Sequence, residues 1–263
     1  MDKIVHEKNY EQWSGLSEKY HNDRPIPPDI IVKIILSWLQ RKPDTVVDIG
    51  CGTGLSTGIW IDIAKNVIGI EPNNDMRAMA ERSYDSGKIA FRNGVSNESN
   101  LPADYADIVT VSQAFHWMDI DSTLIEFYRI LKPGGVLAIY DFTIPPVLDW
   151  EVELSLLALR KKFSEIVYSQ ETPPIRNDKD TYNDRITSFG KFKHTRKVEC
   201  HNVLLMSPQK AAEFHIGISN ASFAVKADPV LNADVDRFFD FVNAKYKEEV
   251  EVIIPYKMVI AVK

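Results

Sequence analysis

At 263 residues, 44% hydrophobic and 26% charged, the chain can bury a full core and is near the upper length for one domain, with an ordinary globular balance. A formal charge of −6 and scattered lysines and arginines exclude the basic footprint of a nucleic-acid binder, while leaving room for a local basic pocket for a small acid. Two cysteines make no disulfide framework, the N-terminal MDKIVHEKNYEQWSG has no signal-peptide core, and no stretch approaches ~18 apolar residues, so a reducing cytoplasm and no membrane span are expected.

Residues 1–24 are polar with interspersed Tyr10, Trp13 and Tyr20, and they run into Arg24-Pro25-Ile26-Pro27-Pro28. The prolines force extended or turn backbone, and a helix is predicted from near Asp29 through Ile31, Ile34, Ile35, Trp38 and Leu39. An arm of this kind either frays or lies over a neighbouring cleft. From Thr45 to Pro72 the pattern is strand, glycine turn, helix, strand: Val46 to Ile49, then Gly50, Gly52 and Gly54, then Leu55 to Ala64, then Val67 to Ile70. Glu71 ends the second strand, 21 residues after Gly50. In an open α/β sheet ligands sit outside the carboxyl ends of strands, so Asp48, the glycines and Glu71 are expected to share one crevice, with Glu71 placed for a ribose diol.

The spacing is G-x-G-x-G rather than G-x-G-x-x-G, and Asp48 stands two residues ahead of it. An acid at the mouth of the turn is a poor neighbour for a pyrophosphate and suits a cationic ligand. An NAD(P)-dependent oxidoreductase on a related sheet is therefore the weaker alternative.

Pro72 to Ser83 reads as a helix, Ile89 to Phe91 as a third strand, Asn93-Gly94 as a turn, and Ala106 to Ser112 as a fourth strand after a polar loop from Ser96 to Pro102. Gln113-Ala114-Phe115-His116-Trp117-Met118-Asp119 follows at that strand's carboxyl end, where aromatics either close the core or line a site. A helix from Leu124 to Leu131 is stopped by Lys132-Pro133-Gly134-Gly135, and Val136 to Tyr140 makes a fifth strand. Residues 144–187 hold a predicted helix from Trp150 to Val167 and a polar linker too long for a plain connection. They are read as an insertion above the strands, with Arg160, Arg176 and Arg185 as candidates for substrate contact. Val198 to Met206 is a sixth strand, Ser207-Pro208 opens a helix to about Ile218, Ala233 to Tyr246 is another helix, and Glu251 to Val262 is the final strand. His194, Cys200 and His201 lack zinc spacing, and no metal is expected.

The acid, G-x-G-x-G, acid pattern of Asp48 to Glu71 and the L-K-P-G-G segment resemble the class I S-adenosylmethionine-dependent methyltransferases. The Gln113 to Trp117 run is similar to the type 11 and trans-aconitate methyltransferase-like subgroup. The resemblance implies a Rossmann-like seven-stranded, mostly parallel sheet flanked by helices, its last strand antiparallel, in one domain spanning 1–263. A lid arm at 1–28 and a substrate cap at 144–187 complete it. It implies S-adenosylmethionine as cofactor and S-adenosylhomocysteine as product. Asp48, Gly50, Cys51, Gly52, Gly54, Glu71 and Pro72 would hold the methionine and ribose portions, and Ser96, Asn97 and Glu98 the adenine. Ser96 stands where the family carries an acid. The family's Tyr-x-x-x-Arg-Pro lid is matched by Tyr20, Arg24 and Pro25, so Tyr20 and Arg24 would close over the donor. Gln113 and His116 would line the space near its methyl, and Trp117 would pack the wall.

Methyl transfer from a sulfonium is an in-line displacement that needs chiefly alignment. A base is required only for a protonated acceptor, and His116 is the candidate, since histidine titrates near neutral pH. The expected acceptor is a small molecule, a carboxylate or hydroxyl favoured, with no nucleic acid or membrane as partner and a monomer or homodimer as the assembly. A non-catalytic S-adenosylmethionine-binding protein is the other alternative.

Overall fold

Short β-branched runs, each too apolar to face water, pair side by side into one seven-stranded sheet. The computed structural model describes residues 10–11, 13–84, 87–169, 176–217 and 221–263. The strands are β1 (Thr45–Ile49), β2 (Asn66–Ile70), β3 (Ile89–Arg92), β4 (Ala106–Ser112), β5 (Leu131–Phe142), β6 (His194–Met206) and β7 (Val250–Val262), in the order β3-β2-β1-β4-β5-β7-β6. β1 to β5 are parallel, and β7 runs antiparallel to both of its neighbours, β5 and β6. This is the mostly parallel sheet with a reversed last strand that the sequence implied.

Alternate residues of each strand feed opposite faces. Val46, Ile108, Val136, Ala138 and Tyr140 pack with Ile31, Ile35 and Leu39 of the helix Asp29–Leu39 and with Trp60. Val47, Ile49, Val109, Val111, Leu137 and Ile139 pack on the other side with Leu124, Phe127 and Ile130 of the helix Ile120–Ile130 and with Ile186. Each large apolar side chain so buried contributes about 1.5–3 kcal/mol. A third cluster joins the helices Trp150–Tyr168, Pro208–Gly217, Ala221–Ala227 and Asn232–Lys245 through Leu156, Phe163, Ala212, Ala224 and Phe238.

Several boundaries differ from expectation for local reasons. The helix after the glycine turn covers only Leu55–Gly58 before i→i+3 turns at Trp60 and Ile63 take over. A Cβ on Gly58 would come within 2.3 Å of the Tyr84 ring, so a side chain there would require that ring to move. The helix Ile120–Ile130 starts four residues earlier than Leu124, with Asp119 extended at its N-cap and its carbonyl accepting from Thr123 N at 3.0 Å. β6 starts at His194 rather than Val198, because its register with β7 runs from His194 opposite Val262 to Met206 opposite Val250. Lys132 to Gly135 lie within β5, where the register with β4 shifts between Ala106 and Ile108. The helix Ala221–Ala227 was not expected, and Tyr182–Phe189 is helical at the end of the insertion. Residues 1–9, part of the linker (170–175) and the expected helix end at Ile218 lie outside the described residues. No described helix is long and apolar enough to cross a membrane.

Candidate functional site

The carboxyl ends of β1, β2, β4 and β5 open on one side of the sheet, and the glycine turn closes its floor. Gly50, Gly52 and Gly54 all take positive φ (69°, 55° and 85°), a region that costs a side-chain-bearing residue about 1–2 kcal/mol. Gly50 N and Cys51 N donate to Ile70 O, which fastens the turn to β2. Glu71 holds it from the side. Its Oε2 accepts from Gly52 N at 2.9 Å and its Oε1 from Asn73 N at 2.9 Å. Burial outweighs these two amides and raises the Glu71 carboxyl to about 7.

Asp48 lies beneath the turn rather than at its mouth. It is fully buried, with Oδ2 accepting from Ser56 Oγ (2.6 Å) and Thr57 Oγ1 (2.7 Å) and Oδ1 from Thr110 Oγ1 (2.8 Å). These hydroxyls tie β1, β4 and the short helix together, and burial raises the carboxyl above its ordinary value. Cys51 is buried with its Sγ towards Gly69, and Gly54 backs onto Tyr84 and Phe91. Neither lines the main cavities. Cys51 borders a small crevice of about 30 Å³ beside Arg24 and Tyr20.

A cavity of about 380 Å³ opens above Gly50 and Gly52. Glu71 and Pro72 lie on one side, Ser96, Asn97 and Glu98 on another, and Met76, Trp117 and Met118 give it apolar walls. Ser96 Oγ shares a hydrogen bond with Thr123 Oγ1 (2.8 Å). The volume and the mix of apolar wall and few polar groups suit a nucleoside-sized ligand.

The arm packs across this opening. Asn73 Nδ2 donates to Tyr10 O (2.9 Å) and Ser14 Oγ (3.0 Å), and Gly15 N donates to Asp75 Oδ2 (2.9 Å). The Trp13 ring meets Tyr20 and Phe223 edge-on at 5.3 Å each and Trp117 at 6.3 Å. The Arg24 guanidinium lies over the Tyr20 ring at 4.8 Å and the Phe142 ring at 5.6 Å.

A second cavity, about 520 Å³, adjoins the first. Trp13, Tyr20, Gln113 and Trp117 line both. Gln113 is the hinge between them. It sits at φ 55°, donates from Nε2 to Phe142 O (3.4 Å) and accepts at Oε1 from Lys179 Nζ (3.1 Å). A non-glycine residue held there stores strain of order 1–3 kcal/mol, which recurs at functional sites. His116, on the 3-10 turn Phe115–Trp117, lines the second cavity and is 7% exposed. Its Nδ1 is buried without a hydrogen-bond partner among the described residues. Burial, then Lys179, Arg176 and Arg24, push its pKa well below the usual histidine value, so the ring is neutral.

Arg24, Arg160, Arg176 and Lys179 converge on this second cavity, with Arg176 4.3 Å above the Trp117 ring. Lys179 also pairs with Asp141 at 3.3 Å, where burial raises the carboxyl and the lysine opposes it. Arg185, expected near substrate, instead pairs with exposed Asp121 at 2.7 Å and lines neither cavity.

Trp13, Met118, Asp119, Asp141 and Lys179 line the cavities without having been singled out for a site role. Asp141 had a readable signal, a carboxylate in an apolar strand at a carboxyl end. Lys179 had none, because a lysine in a polar linker reads as solvated.

Residues 47–139 match the model of the Methyltransferase domain family. A Dictyostelium discoideum protein named as a methyltransferase is 31% identical over 139 residues, 53% of this chain and 52% of its own. A Saccharomyces cerevisiae protein named as an S-adenosylmethionine-dependent methyltransferase is 30% identical over 154 residues, 57% of this chain and 51% of its own. The chain thus spans about half the length of these curated relatives. The structure of an Anaeromyxobacter dehalogenans protein named as a type II methyltransferase superposes with a TM-score of 0.66 at 17% identity, covering 91% of this chain and 97% of that one. That likeness is one of fold.

Proposed function

We propose that the chain, whose residues 47–139 match the Methyltransferase domain family, is a class I S-adenosylmethionine-dependent methyltransferase that transfers the methyl group of S-adenosylmethionine to a small-molecule acceptor, a carboxylate or hydroxyl favoured. The observation that carries this reading is the pair of adjoining cavities, one floored by the glycine turn and Glu71, the other lined by His116, with Tyr20 and Gln113 shared between them. When bound, S-adenosylmethionine supplies a methyl carbon on a sulfonium, and transfer forms the acceptor–carbon bond as the carbon–sulfur bond breaks and its electrons stay on the sulfur of S-adenosylhomocysteine.

The chain's own contribution in this reading is mainly positioning, which can supply ~7–11 kcal/mol of barrier reduction. Glu71 would accept from the ribose hydroxyls, and Gly50 and Gly52 would leave the backbone clear of Cβ atoms for the ligand to lie against. Pro72, Met76 and Met118 would give the adenine apolar contact, and Ser96, Asn97 and Glu98 would offer it polar groups. Asp48, Cys51 and Gly54 act from behind, by fixing the turn. Tyr20, Gln113 and Arg24 frame the passage between the cavities. His116, neutral and with Nδ1 unpartnered among the described residues, takes the proton of a hydroxyl acceptor, whereas a carboxylate needs no base.

We read 1–28 as a lid arm and 144–187 as a substrate cap on a single domain, in a monomer or homodimer that works in the cytoplasm on small molecules rather than nucleic acid. The direct test is calorimetric titration with S-adenosylmethionine, S-adenosylhomocysteine and NAD in parallel. The reading expects binding of the two sulfur nucleotides and none of NAD; NAD binding alone would sink it. Release of S-adenosylhomocysteine in the presence of hydroxyl and carboxylate acceptors then separates an enzyme from a non-catalytic binder.

A further inference from the structure

The segment read as a cap reaches the second cavity through a short strip, Asn177 to Tyr182, that hydrogen bonds and ion pairs fasten to the core. Asn177 N donates to His116 O at 2.8 Å and its Nδ2 to Met118 O at 2.7 Å, so the strip is held on the turn that carries His116. Lys179 Nζ joins it to Gln113 Oε1 (3.1 Å) and Asp141 (3.3 Å), and Lys257 Nζ reaches Asp180 at 2.8 Å. At its end the Tyr182 ring packs edge-on against Phe115 at 4.9 Å and is 3% exposed.

The hydroxyl on that ring has no evident work within the chain. Tyr182 lines the second cavity, yet its Oη is buried without a hydrogen-bond partner among the described residues. The two carboxylates that act on it through space are engaged elsewhere: Asp141 by Lys179, and Asp178 Oδ1 by the amide of Asp180 at 3.0 Å. Burial, then those two charges, raises the phenol above its ordinary value, so it keeps its proton and acts as a donor. A buried hydroxyl left without a partner costs free energy that an arriving oxygen returns. His116 Nδ1, one residue beyond Phe115, is in the same state in the same cavity. Ile139, Phe142, Val198 and Met258 supply an apolar side.

Resting on the methyltransferase reading, we propose that Tyr182 binds the acceptor and selects it for oxygen: the acceptor is a small molecule with an apolar body and an oxygen that takes the hydrogen bond of the Tyr182 phenol. No bond forms or breaks at Tyr182, and its proton stays in place. This separates it from His116, which removes a proton and is needed by a hydroxyl alone; a hydroxyl, carbonyl or carboxylate oxygen each satisfies Tyr182. A molecule of the same shape without that oxygen leaves the phenol unpaired in the complex, which is how a fixed, buried polar group discriminates between ligands.

The test is calorimetric titration of the full chain, in the presence of S-adenosylhomocysteine, with phenol, acetophenone and benzoate, and with toluene as their oxygen-free match. At least one oxygen-bearing probe is expected to bind wild type about tenfold or more tighter than toluene, and Tyr182→Phe is expected to erase that preference to within about twofold. Without any ligand, the urea-unfolding midpoint of Tyr182→Phe is expected at or above that of wild type, because the ring packing stays and only a hydroxyl without a partner is removed. A lowered midpoint would show that the hydroxyl serves the fold and would overturn the proposal. So would an oxygen preference that survives in Tyr182→Phe, or the absence of any such preference in wild type. Affinity for S-adenosylhomocysteine is expected to be the same in both, since Tyr182 does not line the first cavity, and a loss of it in the variant would also count against the assignment. An oxygen preference that depends on Tyr182 in a chain that binds no S-adenosylhomocysteine would sink the methyltransferase reading and leave the Tyr182 site standing.

Discussion

Glu71 Oε2 accepts the amide hydrogen of Gly52 at 2.9 Å, so the acid that ends β2 also fixes the middle glycine of the turn after β1. The other oxygen accepts from Asn73, which caps the helix Asn74–Ser83 through Met76 N and reaches the arm through Tyr10 O. One carboxylate thereby ties turn, helix and arm around the first cavity.

Its protonation should be visible in binding. With its pKa near 7, Glu71 is partly protonated at neutral pH and must ionise to accept two ribose hydroxyls well. Affinity for S-adenosylhomocysteine is expected to rise from pH 6 to pH 8, at most about tenfold per pH unit, and Glu71→Gln should flatten that dependence while weakening binding by about 1.5–3 kcal/mol. Stability moves the opposite way. The folded pKa lies above the ordinary 4.5, so between about 4.5 and about 7 the folded state holds more protons and loses stability as pH rises. Urea unfolding of wild type against Glu71→Gln across that window measures it.

Asp48 should matter to the fold more than to the ligand. Asp48→Ala leaves the hydroxyls of Ser56, Thr57 and Thr110 buried without their acceptor. Removing one partner of buried hydrogen bonds to a charged group costs about 1–3 kcal/mol or more. A drop of that size in urea unfolding, with S-adenosylhomocysteine binding restored towards wild type once the variant is folded, is the expected pair of results. A large binding loss without a stability loss would return Asp48 to the ligand.

The sheet was legible because its evidence is local: apolar runs ending in glycine, and the Glu71 and Ala106 to Ser112 boundaries, depend on adjacent residues. The first cavity's floor was legible for the same reason. The second cavity was legible only in part: Arg160 and Arg176 were candidates for substrate contact, but Arg24 stands in an arm more than a hundred residues earlier and Lys179 gave no signal. No periodicity records that they converge. Asp48 was misplaced because a strand-end acid reads as exposed until one sees three hydroxyls from β4 and the short helix closing over it.

Gln113 offers a separation of strain from contact. Its φ of 55° favours glycine, while its amide spans Phe142 O and Lys179. Gln113→Gly is expected to be more stable than Gln113→Ala by about 1 kcal/mol, whereas both lose turnover to a similar extent because both lose the amide. Thermal unfolding and single-turnover rates on the same preparations compare them. Equal stability of the two variants would remove strain from the account.

The arm's docking should respond to one exposed contact. Asp75→Ala removes the acceptor of Gly15 N while leaving both cavity linings intact. Limited trypsin digestion should cut after Lys19 faster in this variant, and saturating S-adenosylhomocysteine should slow the cut in wild type. Cleavage rates unaffected by the ligand would detach the arm from the first cavity.

His116 provides the sharpest test of how a proton leaves the acceptor. The ring lines the second cavity, is neutral through burial and its basic neighbours, and keeps Nδ1 without a hydrogen-bond partner among the described residues. General-base help is worth about 10²–10⁴ in rate, so His116→Ala should lower turnover on a hydroxyl acceptor within that range and leave S-adenosylhomocysteine affinity nearly unchanged. With a carboxylate acceptor the same substitution should cost little. The pH profile carries a second signature. Because the folded pKa lies below the ordinary 6.5, protonation of His116 sets an acid limb well under that value, and the folded state loses stability as pH falls below about 6.5, where the unfolded state takes up the proton first. His116→Gln removes both effects if the imidazole causes them. A limb that persists in His116→Gln assigns it to another group, and an unchanged rate in His116→Ala on every acceptor takes His116 out of the chemistry.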